Sequence, residues 1–161
     1  MIIWVASYPK SGNTWVRSII SSLIYTKDGI FDFPSIKKID QYPQRRFLEH
    51  FTQDYNNIHE IKKHWITSQE RINLDTKIKF FKTHHLNCKI DNFPFTNKEC
   101  TEATIYIVRD PRNLLNSVSN HFTKSIEESK KFLLTSRILS PGKEIELKGG
   151  NVITYLGSWK E

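Results

Sequence analysis

The sequence predicts an α/β fold with a parallel sheet, because strand patterns and helix patterns alternate along the chain. A short, β-branched apolar run at residues 2–6 is bounded by Pro9 and precedes a helix pattern. A second apolar run at residues 104–108 also leads into a helix pattern, and a short strand pattern at residues 78–81 lies between the two. Strands that alternate with helices in this way are typical of a parallel sheet covered by helices.

The helix that follows the first strand has its apolar residues on one face. Val16, Ile19, Ile20, Leu23 and Ile24 fall at positions i, i+3, i+4, i+7 and i+8. An amphipathic helix of this kind ordinarily turns its apolar face towards the core. We therefore expect a strand, a tight loop and a packed helix over the first 25 residues.

The loop between this strand and helix has the composition of an anion-binding site. A helix start offers free backbone N–H groups and the positive end of the helix dipole. Gly12 lets the backbone approach a ligand closely, and Lys10 adds a mobile positive charge. Ser11, Asn13 and Thr14 add side-chain donors. The alternative is an ordinary capped helix with a surface lysine.

The second strand and helix carry a further candidate for phosphate binding. Asp110 is placed to cap the helix, and Pro111 suits its first turn. Arg109 sits where the strand ends, at the edge where open α/β sheets bind ligands, and a guanidinium can grip a phosphate with two parallel hydrogen bonds. Ser117, two turns into the helix, could donate to the same group. Alternatively, Arg109 pairs with a nearby aspartate and Ser117 is a small polar helix residue.

The short central strand leads to a candidate general base. Strand alternation places Lys82 and His84 on one side of the strand, with Thr83 and His85 on the other. Histidine titrates near neutral pH, so His84 could take a proton from a hydroxyl as that oxygen attacks. The alternative for either histidine is a surface or packing role.

These motifs together resemble the sulfotransferase family. The segment Tyr8-Pro9-Lys10-Ser11-Gly12-Asn13-Thr14-Trp15 is similar to the family's 5′-phosphosulfate loop, usually Tyr-Pro-Lys-Ser-Gly-Thr-Thr-Trp, and differs from it only at Asn13. Arg109 and Ser117 have the spacing of the family's 3′-phosphate-binding segment. In the family the catalytic histidine follows a Lys-Thr pair, which selects His84 over His85.

The resemblance implies a fold, a donor and roles for the site residues. It implies a single domain over residues 1–161 with a three-layer α/β/α, P-loop NTPase-like sulfotransferase fold. The donor would be 3′-phosphoadenylyl sulfate (PAPS), the product adenosine 3′,5′-bisphosphate (PAP), and no metal would be required. The acceptor would be a hydroxyl or amine on a small molecule, glycan or lipid. The residues it implies, for catalysis and for donor binding, are Lys10, Ser11, Gly12, Asn13, Thr14, Trp15, Lys82, His84, Arg109 and Ser117.

Within this scheme His84 is the base and Lys10 neutralises charge on the leaving phosphate oxygen. Trp15 would pack beside the adenine, or else be a buried aromatic residue at a helix start. Family members close the nucleotide pocket with a later Arg-Lys-Gly segment, which we do not find after Gly150. We therefore expect the domain to be incomplete at its C-terminal end.

Composition limits the other classes of protein. The chain of 161 residues has a formal net charge of +7, which suits a polyanionic ligand but would equally suit nucleic acid. No basic run of the nucleic-acid type is present, so we do not expect that partner. Cys88 and Cys100 lack metal-ligand spacing. Two free thiols, no export signal and no membrane-spanning run suggest the cytoplasm.

The rest of the chain is predicted with less detail. Residues 28–77 suggest a helical insertion, which in the family borders the acceptor pocket; one helix would open at Pro43, and another would bury Ile58, Ile61, Trp65 and Ile72. After Phe122 the chain turns polar, and loops are expected, including residues 140–142 and 149–150. A final helix is predicted from Asn151, with its apolar face formed by Val152, Tyr155, Leu156 and Trp159.

Two other functions remain open on the sequence. A P-loop nucleotide kinase or hydrolase would need Mg²⁺ and a lysine next to Ser or Thr in a Gly-Lys-Ser/Thr triplet, which this loop lacks. A catalytically inactive nucleotide-binding fragment would bind without turnover.

Overall fold

The computed structural model describes residues 1–139 and 152–161. Its strands, in chain order, are β1 (Ile2–Ser7), β2 (Asp40–Gln41), β3 (Lys79–Thr83), β4 (Lys89–Ile90), β5 (Phe93–Pro94), β6 (Thr101–Ile107), β7 (Arg137–Leu139) and β8 (Thr154–Leu156). Its α-helices are α1 (Asn13–Tyr25), α2 (Phe33–Ile36), α3 (Arg45–Leu48), α4 (Ile58–Ile61), α5 (Trp65–Asn73), α6 (Pro111–Phe122) and α7 (Ile126–Leu134). A 3-10 turn, Lys62–His64, joins α4 to α5.

The centre of the molecule is a four-stranded sheet in the order β2-β3-β1-β6. Every neighbouring pair in this sheet is parallel. The parallel sheet and its flanking helices confirm the predicted α/β class with three layers. The pairs β4–β5 and β7–β8 are separate and antiparallel.

One face of the sheet packs against an aromatic core. Trp4 of β1 and Phe81 of β3 are almost fully buried there, together with Tyr42, Trp65 and Phe95. The ring centroids of Trp4 lie 5.6 Å from Tyr42 and 5.5 Å from Phe95. Each fully buried large apolar side chain contributes about 1.5–3 kcal/mol, so this layer fixes the sheet beneath it.

The helices expected within residues 28–77 supply the outer side of this core. Ile58, Ile61 and Trp65 are buried, as the pattern predicted, whereas Ile72 is only partly buried. Leu48 of α3 is buried in the same core. The segment also differs from an all-helical insertion, because β2 adds a short parallel edge strand beside β3.

The orientation of α1 differs from the prediction. Its buried residues are Asn13, Ser21 and Ser22, whereas Leu23 is 73% exposed and Ile19 is 52% exposed. The expectation that the apolar face turns inward is therefore wrong. Polar contacts hold the helix instead: the Arg17 guanidinium, for example, donates to the carbonyls of Ile36 and Ile39 at 3.1 Å and 2.7 Å.

A second core cluster joins the first loop to the helices that follow β6. Tyr8 packs there with Leu114 and Val118 of α6 and with Phe132 and Leu133 of α7. The loop predicted after Phe122 is wrong in this part, since α7 begins with a complete capping box between Ser125 and Glu128. The buried packing of Phe132 and Leu133 stabilises this helix, although the residues on its outer side are polar.

The C-terminal segment also differs from the prediction. Residues 154–156 form β8 and pair antiparallel with β7, so the predicted final helix is wrong. Apolar residues at 152, 155, 156 and 159 fit a helical period, but the long-range pairing with β7 determines their conformation. Residues 140–151 lie outside the described residues, as do the loops predicted at 140–142 and 149–150 and the helix start predicted at Asn151.

Candidate active site

The candidate site lies at one edge of the sheet, because parallel strands end at the same edge. The loop at residues 8–12 follows β1 at the centre, His84 follows β3 on one side, and Arg109 follows β6 on the other. The topology therefore brings the three sequence motifs to one edge.

The backbone of the loop after β1 is shaped to receive an anion. Lys10 has φ 70° and Gly12 has φ 102°, so two residues of the short loop take the left-handed conformation. Such conformations turn successive N–H groups into a concave anion site, and the first N–H groups of α1 add to it. A Cβ at Gly12 would meet nothing within 4 Å, so the positive φ, and not crowding, requires glycine there.

Two buried side-chain atoms, one in this loop and one at the first residue of α1, lack a hydrogen-bond partner within the described part of the chain. They are Ser11 Oγ and Asn13 Oδ1, on residues that are 6% and 5% exposed. Buried polar atoms ordinarily find partners, so an orphaned hydroxyl beside an anion-shaped loop points to a ligand. Ser11 Oγ can donate to such an anion.

The side chain of Asn13 is used differently from the prediction. Its Nδ2 donates to the Val5 carbonyl at 3.0 Å and to Ser7 Oγ at 3.1 Å. Both amide protons are thus engaged within the protein, and only the backbone N–H of Asn13 remains for an anion.

Tyr8 anchors the loop through its hydroxyl. Its hydroxyl donates to the Phe132 carbonyl at 3.2 Å, and burial raises the pKa of Tyr8 to about 12. The loop is therefore tied to α7 through one buried hydrogen bond.

The Arg109 side chain reaches the loop. Its Nη1 donates to the Lys10 carbonyl at 3.0 Å, so the guanidinium lies beside the candidate anion site. The neighbouring carboxylate of Asp110 pairs with Arg112 instead, at 2.6 Å from Nη2, and also caps α6. The alternative in which Arg109 pairs with an aspartate is therefore wrong.

The other predicted donor-binding residues are less tightly placed. Ser117 is half-buried on α6. Trp15 is 77% exposed, so the alternative of a buried aromatic residue is wrong. Its ring borders a surface groove that also contains Phe31 and Phe33.

The hydrogen bonds of His84 define its tautomer. His84 Nδ1 lies 2.6 Å from the Ser7 carbonyl oxygen, and a carbonyl can only accept, so Nδ1 carries the proton. The lone pair is then on Nε2, which is the form a general base needs. His84 borders a cavity of about 340 Å³ that is also lined by Trp4, Phe95 and Tyr106.

The electrostatic surroundings keep His84 neutral. Burial, with smaller contributions from the charges of Lys82 and Arg17, lowers the pKa of His84 to about 4. Burial and the charge of Arg17 also lower the pKa of Lys82 to about 8. Lys82 Nζ donates to Gln41 Oε1 at 3.1 Å. At pH 7 the site thus holds a neutral imidazole close to a charged ammonium group.

His85 has a packing role. Its ring is 6% exposed and stacks on Phe95, with 4.2 Å between the centroids. Its Nδ1 lies 2.7 Å from the Leu86 carbonyl, and burial lowers the pKa of His85 to about 4. The choice of His84 over His85 as the base stays a prediction.

Sequence reasoning missed Ser7. Its carbonyl accepts from His84 and its hydroxyl accepts from Asn13, although these residues are 77 and six positions away along the chain. A buried serine at the end of an apolar strand is the one signal that could have pointed to it.

The site combines a loop shaped to bind an anion, at the start of a helix, with a neutral histidine at the edge of a parallel sheet. This combination is typical of α/β proteins that transfer a chemical group. The family model described as "Sulfotransferase domain" matches residues 2–159. The chain therefore belongs to the sulfotransferase family, whose members transfer sulfuryl groups. No curated protein matches the sequence.

No helix in residues 1–139 or 152–161 is both long and apolar enough to cross a membrane.

Proposed function

We propose that this protein transfers the sulfuryl group of PAPS to a hydroxyl or amine acceptor, with His84 as the general base. The observation that carries the proposal is the junction at Ser7. The Ser7 carbonyl fixes the tautomer of His84, and the loop shaped to bind an anion begins at the next residue. Ser7 thus fixes the position of the base relative to the anion site. In-line transfer between two bound molecules needs such a fixed arrangement.

The donor would lie along the loop and across to β6. The N–H groups of residues 12–15, the Lys10 ammonium and the Ser11 and Thr14 hydroxyls would hold the 5′-phosphosulfate. Arg109, already beside the Lys10 carbonyl, would bind the 3′-phosphate together with Ser117. The exposed ring of Trp15 is available to pack beside the adenine.

The transfer itself balances with groups of this chain and the two substrates. The acceptor oxygen, or nitrogen, attacks sulfur while its proton passes to His84 Nε2. The bond between sulfur and the 5′-phosphate oxygen breaks, and PAP leaves with the electron pair. Lys10, Lys82 and the loop N–H groups would stabilise the negative charge that grows on the leaving oxygen.

The cavity beside His84 supports an acceptor of limited size. Its volume of about 340 Å³ lies in the range of small-molecule pockets. Its aromatic lining would suit an apolar body whose hydroxyl points to His84. A small molecule, or the terminal group of a glycan or lipid, would fit. The protein would act in the cytoplasm, where the donor is made.

Calorimetry with PAP and with ATP, each with and without Mg²⁺, tests the donor assignment. We expect tighter binding of PAP, independent of Mg²⁺, because Arg109 would bind the 3′-phosphate, a group that ATP lacks. Arg109→Ala should weaken PAP about tenfold or more and affect ATP much less. Tighter, Mg²⁺-dependent binding of ATP would instead favour a kinase or hydrolase.

Transfer of labelled sulfate from PAPS to a simple phenol tests the reaction. Binding of PAP without transfer to any hydroxyl or amine acceptor would identify an inactive nucleotide-binding protein and would contradict the proposal.

A further inference from the structure

Asn13 stands at the start of α1, but its side chain turns away from the anion site. The residue is 5% exposed, and its amide lies against the end of β1. Because the Val5 carbonyl can only accept, the side-chain atom 3.0 Å from it must be Nδ2. The orientation of the amide is therefore fixed by its surroundings.

The second amide proton of Asn13 connects it to the base. Nδ2 donates to Ser7 Oγ at 3.1 Å, and the same Oγ lies 3.2 Å from His84 Nδ1. The Nδ1 proton is directed mainly at the Ser7 carbonyl, at 2.6 Å. Donors from the anion loop and from the histidine thus converge on the two oxygens of Ser7.

We propose that Asn13 is a positioning residue for His84, acting through Ser7. The Asn13 side chain holds the carbonyl of Val5 and the hydroxyl of Ser7 in place. It thereby also holds the end of β1, whose Ser7 carbonyl keeps the proton on His84 Nδ1. The lone pair of Nε2 then faces the cavity. This inference rests on the proposed function, in which Nε2 is the base.

The position is also where this chain departs from the usual sulfotransferase loop. A threonine has one hydroxyl donor and cannot donate to both the Val5 carbonyl and Ser7 Oγ. The asparagine therefore supplies a connection that depends on this residue type.

Kinetic comparison of Asn13→Leu, Ser7→Ala and the double variant tests the proposal. Leucine has a shape close to that of asparagine but no donor. We expect Asn13→Leu to lower kcat about ten- to hundredfold, the cost of a slightly misplaced base, while PAP affinity changes less than about threefold. The double variant should be no slower than Asn13→Leu alone, because both changes break one connection.

Ser21→Ala is the matched control. Ser21 is fully buried on the same helix. The change removes two hydrogen bonds of Ser21 Oγ, one donated to the Ser18 carbonyl and one accepted from Ser35 Oγ, and neither involves Ser7 or His84. Its kcat should stay within about twofold of the wild type. Equal losses of kcat in Ser21→Ala and Asn13→Leu, or additive losses in the double variant, would overturn the proposal.

Nitrogen-15 NMR of the histidine rings gives a readout that needs no turnover. In the wild type, His84 and His85 should both carry the proton on Nδ1, since each Nδ1 lies against a carbonyl. Asn13→Leu should mix the tautomers of His84 and leave His85 unchanged. An unchanged His84 in a folded variant would refute positioning by Asn13. Inactivity of the wild type with the expected tautomer shift would overturn the proposed function alone.

Discussion

At the residue scale, two adjacent histidines show how surroundings decide a role. His84 and His85 share a lowered pKa and a proton on Nδ1. Both line the same cavity, but His84 is held at the anion loop by the Ser7 carbonyl, whereas the ring of His85 is stacked on Phe95. Loss of the first side chain should therefore affect chemistry, and loss of the second should affect folding.

His84→Ala should abolish sulfate transfer and leave PAP binding within a few-fold, because the base acts on the acceptor. His85→Ala should lower the free energy of unfolding by about 2–4 kcal/mol, as expected for truncation of a buried ring. Its turnover per folded molecule should change little. Urea unfolding and initial rates measured on both variants check this, and the reverse pattern would identify His85 as the base.

The pH dependence of kcat/KM should be bell-shaped. His84 must be neutral to accept a proton, so the rate should fall as the pH drops through its pKa of about 4. Lys82 must be charged, so the rate should also fall as the pH rises through its pKa of about 8.

Lys82→Met separates the two limbs of this profile. Removal of the ammonium charge, which lowers the pKa of His84, should move the acidic limb to higher pH and remove the alkaline limb. An unchanged profile in this variant would show that Lys82 does not act on the reacting groups.

At the element scale, the parts that sequence predicted are those that depend on local pattern. The strand, loop and helix around Lys10 and Gly12 follow from neighbouring residues, as does the capped start of α6 at Asp110. The orientation of α1, the pairing of β8 and the role of Ser7 depend on partners far along the chain. Periodicity does not encode such partners. The predictions for α1 and for the C-terminal segment were therefore wrong, and the role of Ser7 was not predicted.

Gly12→Ala and Gly29→Ala test the role of the loop backbone. Both glycines have positive φ, 102° and 75°, and a Cβ at either would meet nothing within 4 Å. Each substitution should therefore cost about 1 kcal/mol of stability through backbone strain. Only Gly12→Ala should also weaken PAP about tenfold or more, because its methyl group would lie where the anion approaches. Similar PAP affinities for the two variants in calorimetry would contradict the anion site.

At the scale of the whole molecule, one face of the sheet packs against the aromatic core, whereas several large apolar side chains elsewhere are exposed. Leu23 on α1 is 73% exposed, and Tyr106 and Ile105 of β6 are 60% and 38% exposed. Parallel sheets are ordinarily covered on both faces, so β6 departs from the usual burial of such strands.

Stability of the whole fold should decrease in mild acid. The pKa values of His84 and His85 are about 4 in the folded protein and near 6.5 in an unfolded chain. As the pH falls from about 6.5 to about 4, the unfolded chain binds protons that the folded protein does not, so the free energy of unfolding falls. Each histidine contributes a slope of up to about 1.4 kcal/mol per pH unit.

Urea denaturation at several pH values between 4 and 7 measures this slope. The folded variant His84→Gln should show about half of the contribution from the two histidines. Stability that does not change over this range would mean that the rings are protonated as readily in the folded protein as in the unfolded chain.

The one-sided pairing of β6 has a consequence for its backbone amides. Within the described residues β6 pairs only with β1, in parallel register. In a parallel strand, alternate residues direct their N–H groups to opposite neighbours, so every second amide of β6 faces outward. Deuterium uptake along residues 101–107 should therefore alternate between slow and fast. If another strand paired with the free side of β6, this alternation would be lost.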